Sequence, residues 1–161
     1  MRFRSVLDAV ARASTAIAAT ALLVMVLALV VDVAMANLFN RPITGTFDVV
    51  ETTLVIMVFL GFPATFLHNG HIAVDVVDHL ASAGTVRRLK LLAGVVSLAF
   101  LLFLAWQMVS PALDAFRFGE RKQELGLPLW LLWIPMIVGM LLSAVALLGV
   151  LVGGDGQREK K

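Results

Sequence analysis

The sequence predicts an all-α integral membrane protein, with four transmembrane helices in a single membrane domain over 1–161 and a short amphipathic interfacial helix between the second and third. Three observations predict it. Of the 161 residues 60% are apolar and 15% charged, with mean hydropathy +0.96, and a soluble domain of that composition has too little polar surface to cover itself. Four apolar stretches approach or exceed the roughly 20 helical residues that cross about 30 Å of hydrocarbon. None of the four alternates apolar and polar at every second position, as a transmembrane β-strand must.

The first span covers about 13–36, with an uncharged core from Ala13 to Val31 and one acid, Asp32, near its end. Arg2 and Arg4, the apolar run and Ala34-Met35-Ala36 imitate a signal peptide with its cleavage site. A signal's apolar region is only about 7 to 15 residues, however, and this one is of spanning length. Asn40-Arg41-Pro42 and Gly45 then break the chain. Asp48, with Glu51 three residues later, forms a capping-box-like start for the second span, about 49–67, and Asn69-Gly70 supplies its stop.

The third span, about 91–109, carries Gln107 as its only strongly polar side chain, and the fourth, about 129–152, has no ionisable residue. Pro63, Pro111 and Pro135 each remove a backbone hydrogen bond, so kinks are expected, with neighbouring groups satisfying the freed carbonyls. Between spans two and three, His68, His71, Asp75, Asp78 and His79 fall on one helical arc, with Ile72, Val76 and Leu80 opposite. Residues 71–80 therefore read as an interfacial amphipathic helix. Metal ligation by this set of His68, His71, Asp75, Asp78 and His79 is the alternative that their spacing allows.

Four spans put both termini on one side, so orientation follows from basic residues summed over alternate loops. Arg2, Arg4, Arg12, Arg87, Arg88, Lys90, Arg158, Lys160 and Lys161 lie on the terminal side, and Arg41, Arg117, Arg121 and Lys122 on the other. Both termini are thus expected in the cytoplasm. Trp106, Trp130 and Trp133 are then expected together at the outer interface. Small residues mark close-approach faces at Gly139, Ser143, Ala146, Gly149 and Gly153 on span four, and at Ala9, Ala13, Ala16 and Thr20 on span one. Both faces are expected to pack inside a compact four-helix bundle.

The absence of Cys excludes disulfides, thiolate metal sites and Cys nucleophiles. The chain has no nucleotide-binding loop, zinc-protease motif or serine nucleophile elbow, and no basic patch with interleaved aromatics for nucleic acid. No enzyme activity and no cofactor are expected. Asp32 is the sole acid within a span, and it reads as an interfacial group bonded to a neighbouring helix; an ion-coupling role is the alternative. Asp48 and Glu51 read as helix-start acids. The competing class is a self-contained small transporter acting as a homodimer, which needs an acid near the middle of span one. A membrane redox enzyme would need a His inside a span.

Several strings in order resemble the small membrane subunit, DctQ type, of TRAP (tripartite ATP-independent periplasmic) transporters. They are Leu38-Phe39-Asn40-Arg41-Pro42-Ile43, Gly45 with Glu51, Gly61-Phe62-Pro63, Gly70-His71-Ile72-Ala73-Val74-Asp75, and Leu127-Pro128-Leu129-Trp130 followed by Ile134-Pro135. The similarity runs from about Phe3 to Leu151. Family members often carry Arg where this chain has Ala36 and His68, which touches local contacts alone. The resemblance implies a scaffold subunit of a sodium-coupled secondary transporter in the bacterial inner membrane. Its implied partners are a large TRAP membrane subunit, which carries the substrate and sodium sites, a periplasmic substrate-binding protein that delivers an organic acid, and membrane lipids. Asn40, Arg41, Pro42, Glu51, His71, Asp75, Trp106, Trp130, Trp133, Gly139 and Gly149 are the candidates for contact with partner or lipid.

Overall fold

The computed structural model describes residues 2–69 and 83–153. These form four helices: α1 (Arg2–Phe39), α2 (Thr46–Asn69), α3 (Ala83–Arg117) and α4 (Trp130–Gly153). Each contains a stretch long and apolar enough to cross a membrane, and no strand occurs among the described residues beyond one isolated bridge between Arg121 and Pro128. The protein is a multi-pass membrane protein. The expected interfacial helix at 71–80 lies outside the described residues.

The expected bundle is not what the chain builds. α1 packs against α2, α2 against α4, and α4 against α3; α1 meets α4 only marginally, and the described residues of α3 approach neither α1 nor α2 along the backbone. The helices therefore stand in a row, α1–α2–α4–α3, open on both broad faces. Lipid tails are as apolar as the side chains, so no hydrophobic force rolls such a row into a bundle. Close fit between neighbours decides the pairing instead.

The two edge helices are also the longest. At 1.5 Å per residue, α1 with 38 residues is about 57 Å long and α3 with 35 about 52 Å, whereas α2 and α4, with 24 each, are about 36 Å. The middle pair fits a hydrocarbon layer of about 30 Å closely, and the edge pair exceeds it. The segments expected as an amino-terminal tail and as a loop before span three are thus partly helical extensions.

The packing centre lies on α4, where Met140, Ala144 and Leu147 bury against Leu101 and Ala105 of α3, with Phe59 and Phe66 of α2 flanking them. Of the small stripe on α4, Gly139, Ser143, Ala146 and Gly149 are buried, within the row rather than inside a bundle. Ser143, fully buried, donates from Oγ to the Gly139 carbonyl at 2.7 Å, which satisfies the hydroxyl within its own helix. The stripe expected on α1 is not used. Ala9, Ala13, Ala16 and Thr20 are exposed, and the buried line is Leu7, Ala11, Ser14, Ala18 and Ala21. Both lines have helical spacing, so periodicity alone does not choose between them.

Pro63, Pro111 and Pro135 all sit inside continuous helices. Pro63 is almost wholly buried, and it withholds the usual helix donor from the Phe59 carbonyl four residues earlier. Gly139 lies against that carbonyl: a Cβ placed at 139 would collide with Phe59 backbone atoms. The missing side chain lets α4 come close enough for a Cα–H to face the oxygen.

A candidate functional site at the loop end of the helices

The α1–α2 linker, residues 40–45, and the α3–α4 loop, residues 118–129, meet at one end of the row. Asn40 follows α1 with φ +52°, a left-handed conformation that Asn adopts more readily than most residues, and the Arg41 N–H reaches back to the Met35 carbonyl at 3.4 Å. α3 ends in a Schellman motif: Gly119 has φ +62°, its N–H donates to the Phe116 carbonyl, and the Glu120 N–H donates to the Ala115 carbonyl. The loop then doubles back on itself. Lys122 N–H donates to the Leu127 carbonyl at 2.8 Å, and Leu129 N–H to the Glu120 carbonyl at 2.9 Å.

This hairpin is latched onto α2 by carboxylates. Oδ2 of Asp48, a buried residue, accepts from the backbone N–H groups of Glu124, at 3.1 Å, and Leu125, at 2.7 Å. Glu124 returns the contact, its Oε2 accepting from the Gly45 N–H at 2.8 Å. Lys122 Nζ pairs with Glu51 Oε2; the Lys122 side chain is 2% exposed and that of Glu51 43%. Gly45, at φ +98°, leaves room for Leu125, whose side chain would overlap a Cβ there. The expected capping box at Asp48 and Glu51 does not form. α2 begins earlier, at Thr46, and both acids reach across to a loop more than 70 residues away.

Asp32 also belongs to this end. Its Oδ1 accepts from the Ile43 N–H at 2.7 Å, so the one span acid bonds its own following linker rather than a neighbouring helix. Arg41 and Pro42 are exposed, and Glu51 is half-buried in its pair with Lys122. Trp130 packs edge-on against Phe116, with ring centroids 5.9 Å apart, and Trp133 is partly buried one turn further along. Trp106 does not share that level. It is ten residues from Phe116, about 15 Å along α3, and 77% exposed, so the three indoles do not form one interfacial belt. Gly139 and Gly149 are buried in the middle of the row. His71 and Asp75 lie outside the described residues.

Sequence reasoning gave Lys122 no role beyond its charge, missed Glu124, and read Gly45 as a chain breaker without its contact to Glu124 and Leu125. The available signal was the four-span topology itself. It puts both loops at one end, where a loop of mixed charge faces two helix-start acids.

Asp48 and Glu124 are engaged by backbone N–H groups and Glu51 by one ammonium, and these bonds tie the ends of the spans together. No curated protein and no solved structure matches the chain. A family model does match, over residues 25–155, that of "Tripartite ATP-independent periplasmic transporters, DctQ component". The matched region runs from within α1, through the latched loops, to the end of α4. A row of four spans with its ionisable groups gathered at the helix ends, matched over most of its length, belongs to the DctQ component family of the tripartite ATP-independent periplasmic transporters.

Proposed function

We propose that this chain is the scaffold of a sodium-coupled importer of an organic acid, which a periplasmic binding protein delivers to a large membrane subunit packed against this one. It resides in the bacterial inner membrane with both termini in the cytoplasm. The observation that carries this reading is the absence of ionisable side chains from the described span interiors: none occurs at 13–31, 52–67, 91–113 or 130–152. A coupled carrier keeps such groups despite their cost because they serve the ion. Here the one span acid, Asp32, holds a backbone N–H of the linker.

The role follows from the latch. Two loops tied by Asp48, Glu124 and the Lys122–Glu51 pair keep the row from splaying at that end, which suits a stationary brace for a moving partner. The test is uptake in proteoliposomes under a sodium gradient. The chain alone should move no organic acid, and its omission should abolish uptake by the large subunit with its binding protein. Sodium-driven uptake by this chain alone would instead establish the self-contained transporter.

A further inference from the structure

An open apolar groove of about 410 Å³ runs along α1 beneath the linker. Val24, Leu27, Ala28 and Val31 form one wall, Val49 of α2 the other, and Leu125 lies at the loop end. We propose that this groove holds one acyl chain of a zwitterionic glycerophospholipid from the leaflet nearest the loops, with its phosphate at Arg41 and Thr44 and its amine at Asp32.

Shape is the first argument. Val24 and Val31 are about 10 Å apart along the helix, and a leaflet is about 15 Å deep, half of the hydrocarbon thickness. The groove stops at the linker and Leu125, so its length suits a chain that ends at the headgroup region. A spanning helix of a partner would have to continue past that point. A void facing hydrocarbon is filled by hydrocarbon, and an acyl chain is the filler of matching length.

Charge at the mouth is the second argument. Arg41, two residues before the groove-lining Ile43, is exposed and its guanidinium has no partner among the described residues. Thr44 lines the groove and is likewise exposed. The Asp32 carboxylate is fixed at the same place by its bond to the Ile43 N–H. One cation and one anion at a single mouth complement a headgroup that carries both charges, and a purely anionic headgroup would meet the carboxylate. Arginine and a hydroxyl are apt donors to phosphate oxygens.

The experiment is native mass spectrometry of the full chain released from nanodiscs of equal parts phosphatidylethanolamine and phosphatidylglycerol. One retained phospholipid per chain is expected, enriched severalfold in phosphatidylethanolamine. Arg41→Gln should lower the retained fraction severalfold, and Ala28→Trp, which fills the groove, should remove it while helicity by circular dichroism stays intact. Should Ala28→Trp fail to fold, Val24→Phe makes the same test from the far end of the wall. Absence of retained lipid, preference for phosphatidylglycerol, or equal retention in Arg41→Gln and the filled-groove variant would each overturn the assignment. So would loss of the lipid whenever the large subunit is present, because a protein segment would then be the occupant.

Discussion

Gly139 of α4 packs its bare Cα against the carbonyl of Phe59 on α2, the carbonyl whose usual helix donor is replaced by Pro63. The two irregularities answer one another. A proline frees an oxygen inside the membrane, where an unsatisfied backbone group is expensive, and a glycine on the neighbouring helix allows the approach that shields it. Ser143, one turn further along α4, donates to the carbonyl of Gly139 itself. This contact joins the two central helices of the row.

Gly139→Ala should therefore destabilise the chain by about 1 to 3 kcal/mol, because the added methyl pushes on backbone rather than on a side chain that can turn away. Gly139→Leu should separate α2 from α4 and abolish assembly with the large subunit. Unfolding in a graded denaturing detergent, followed by co-purification, measures both. A Gly139→Leu chain of unchanged stability would show that the two backbones are not in close contact.

The Lys122–Glu51 pair is asymmetric, and its mutants should be too. Removing Glu51 leaves an ammonium that is 2% exposed without its partner, which costs about 3 kcal/mol or more. Removing Lys122 as Lys122→Met leaves a carboxylate that is 43% exposed and able to hydrate, at a cost of about 1 kcal/mol. Thermal unfolding of Glu51→Ala and Lys122→Met checks the order, and equal losses would contradict it.

Asp48→Ala should orphan the N–H groups of Glu124 and Leu125 together, a loss of about 2 to 3 kcal/mol. Asp48→Asn keeps an acceptor oxygen and should lose about half as much. Hydrogen exchange at residues 124 and 125 supplies a local readout, with protection lost in the alanine variant and retained in the asparagine one.

The excess of basic residues on the terminal side predicts cytoplasmic termini. A membrane-impermeant thiol reagent applied to intact cells should modify Glu120→Cys and leave Gln157→Cys untouched. The Cys-free background makes the assay direct. Labelling at position 157 alone would invert every assignment of side.

Asp32→Asn retains the acceptor for the Ile43 N–H, so transport by the assembled complex should fall less than twofold. Asp32→Ala loses that bond and should reduce stability by about 0.6 kcal/mol, the typical value for a hydrogen bond within a membrane protein. Complete loss of sodium coupling in Asp32→Asn, with the complex intact, would make the acid a coupling group.

Residue order alone determined the four spans found among the described residues and roughly where they turn. An apolar run of spanning length is favourable in hydrocarbon whatever its neighbours do, so Ala13–Val31 and the uncharged run at 129–152 declared themselves. Asn40 is visible for the same local reason, since few other residues adopt φ +52° without strain. The stripe Gly139, Ser143, Ala146 and Gly149 was legible because small residues at helical spacing signal close approach. On α1, two stripes satisfy the same spacing. The tertiary structure chose Leu7, Ala11, Ser14, Ala18 and Ala21, and left Ala9, Ala13, Ala16 and Thr20 exposed. It also chose a row over a bundle, placed Trp106 away from Trp130, and turned Asp48 and Glu51 from capping α2 to holding a loop more than 70 residues away. Hydropathy and periodicity are sums over near neighbours in the chain, so they fix each span independently. Which spans touch depends on shape and on a few polar bonds, because between helices in lipid no hydrophobic preference remains to be read.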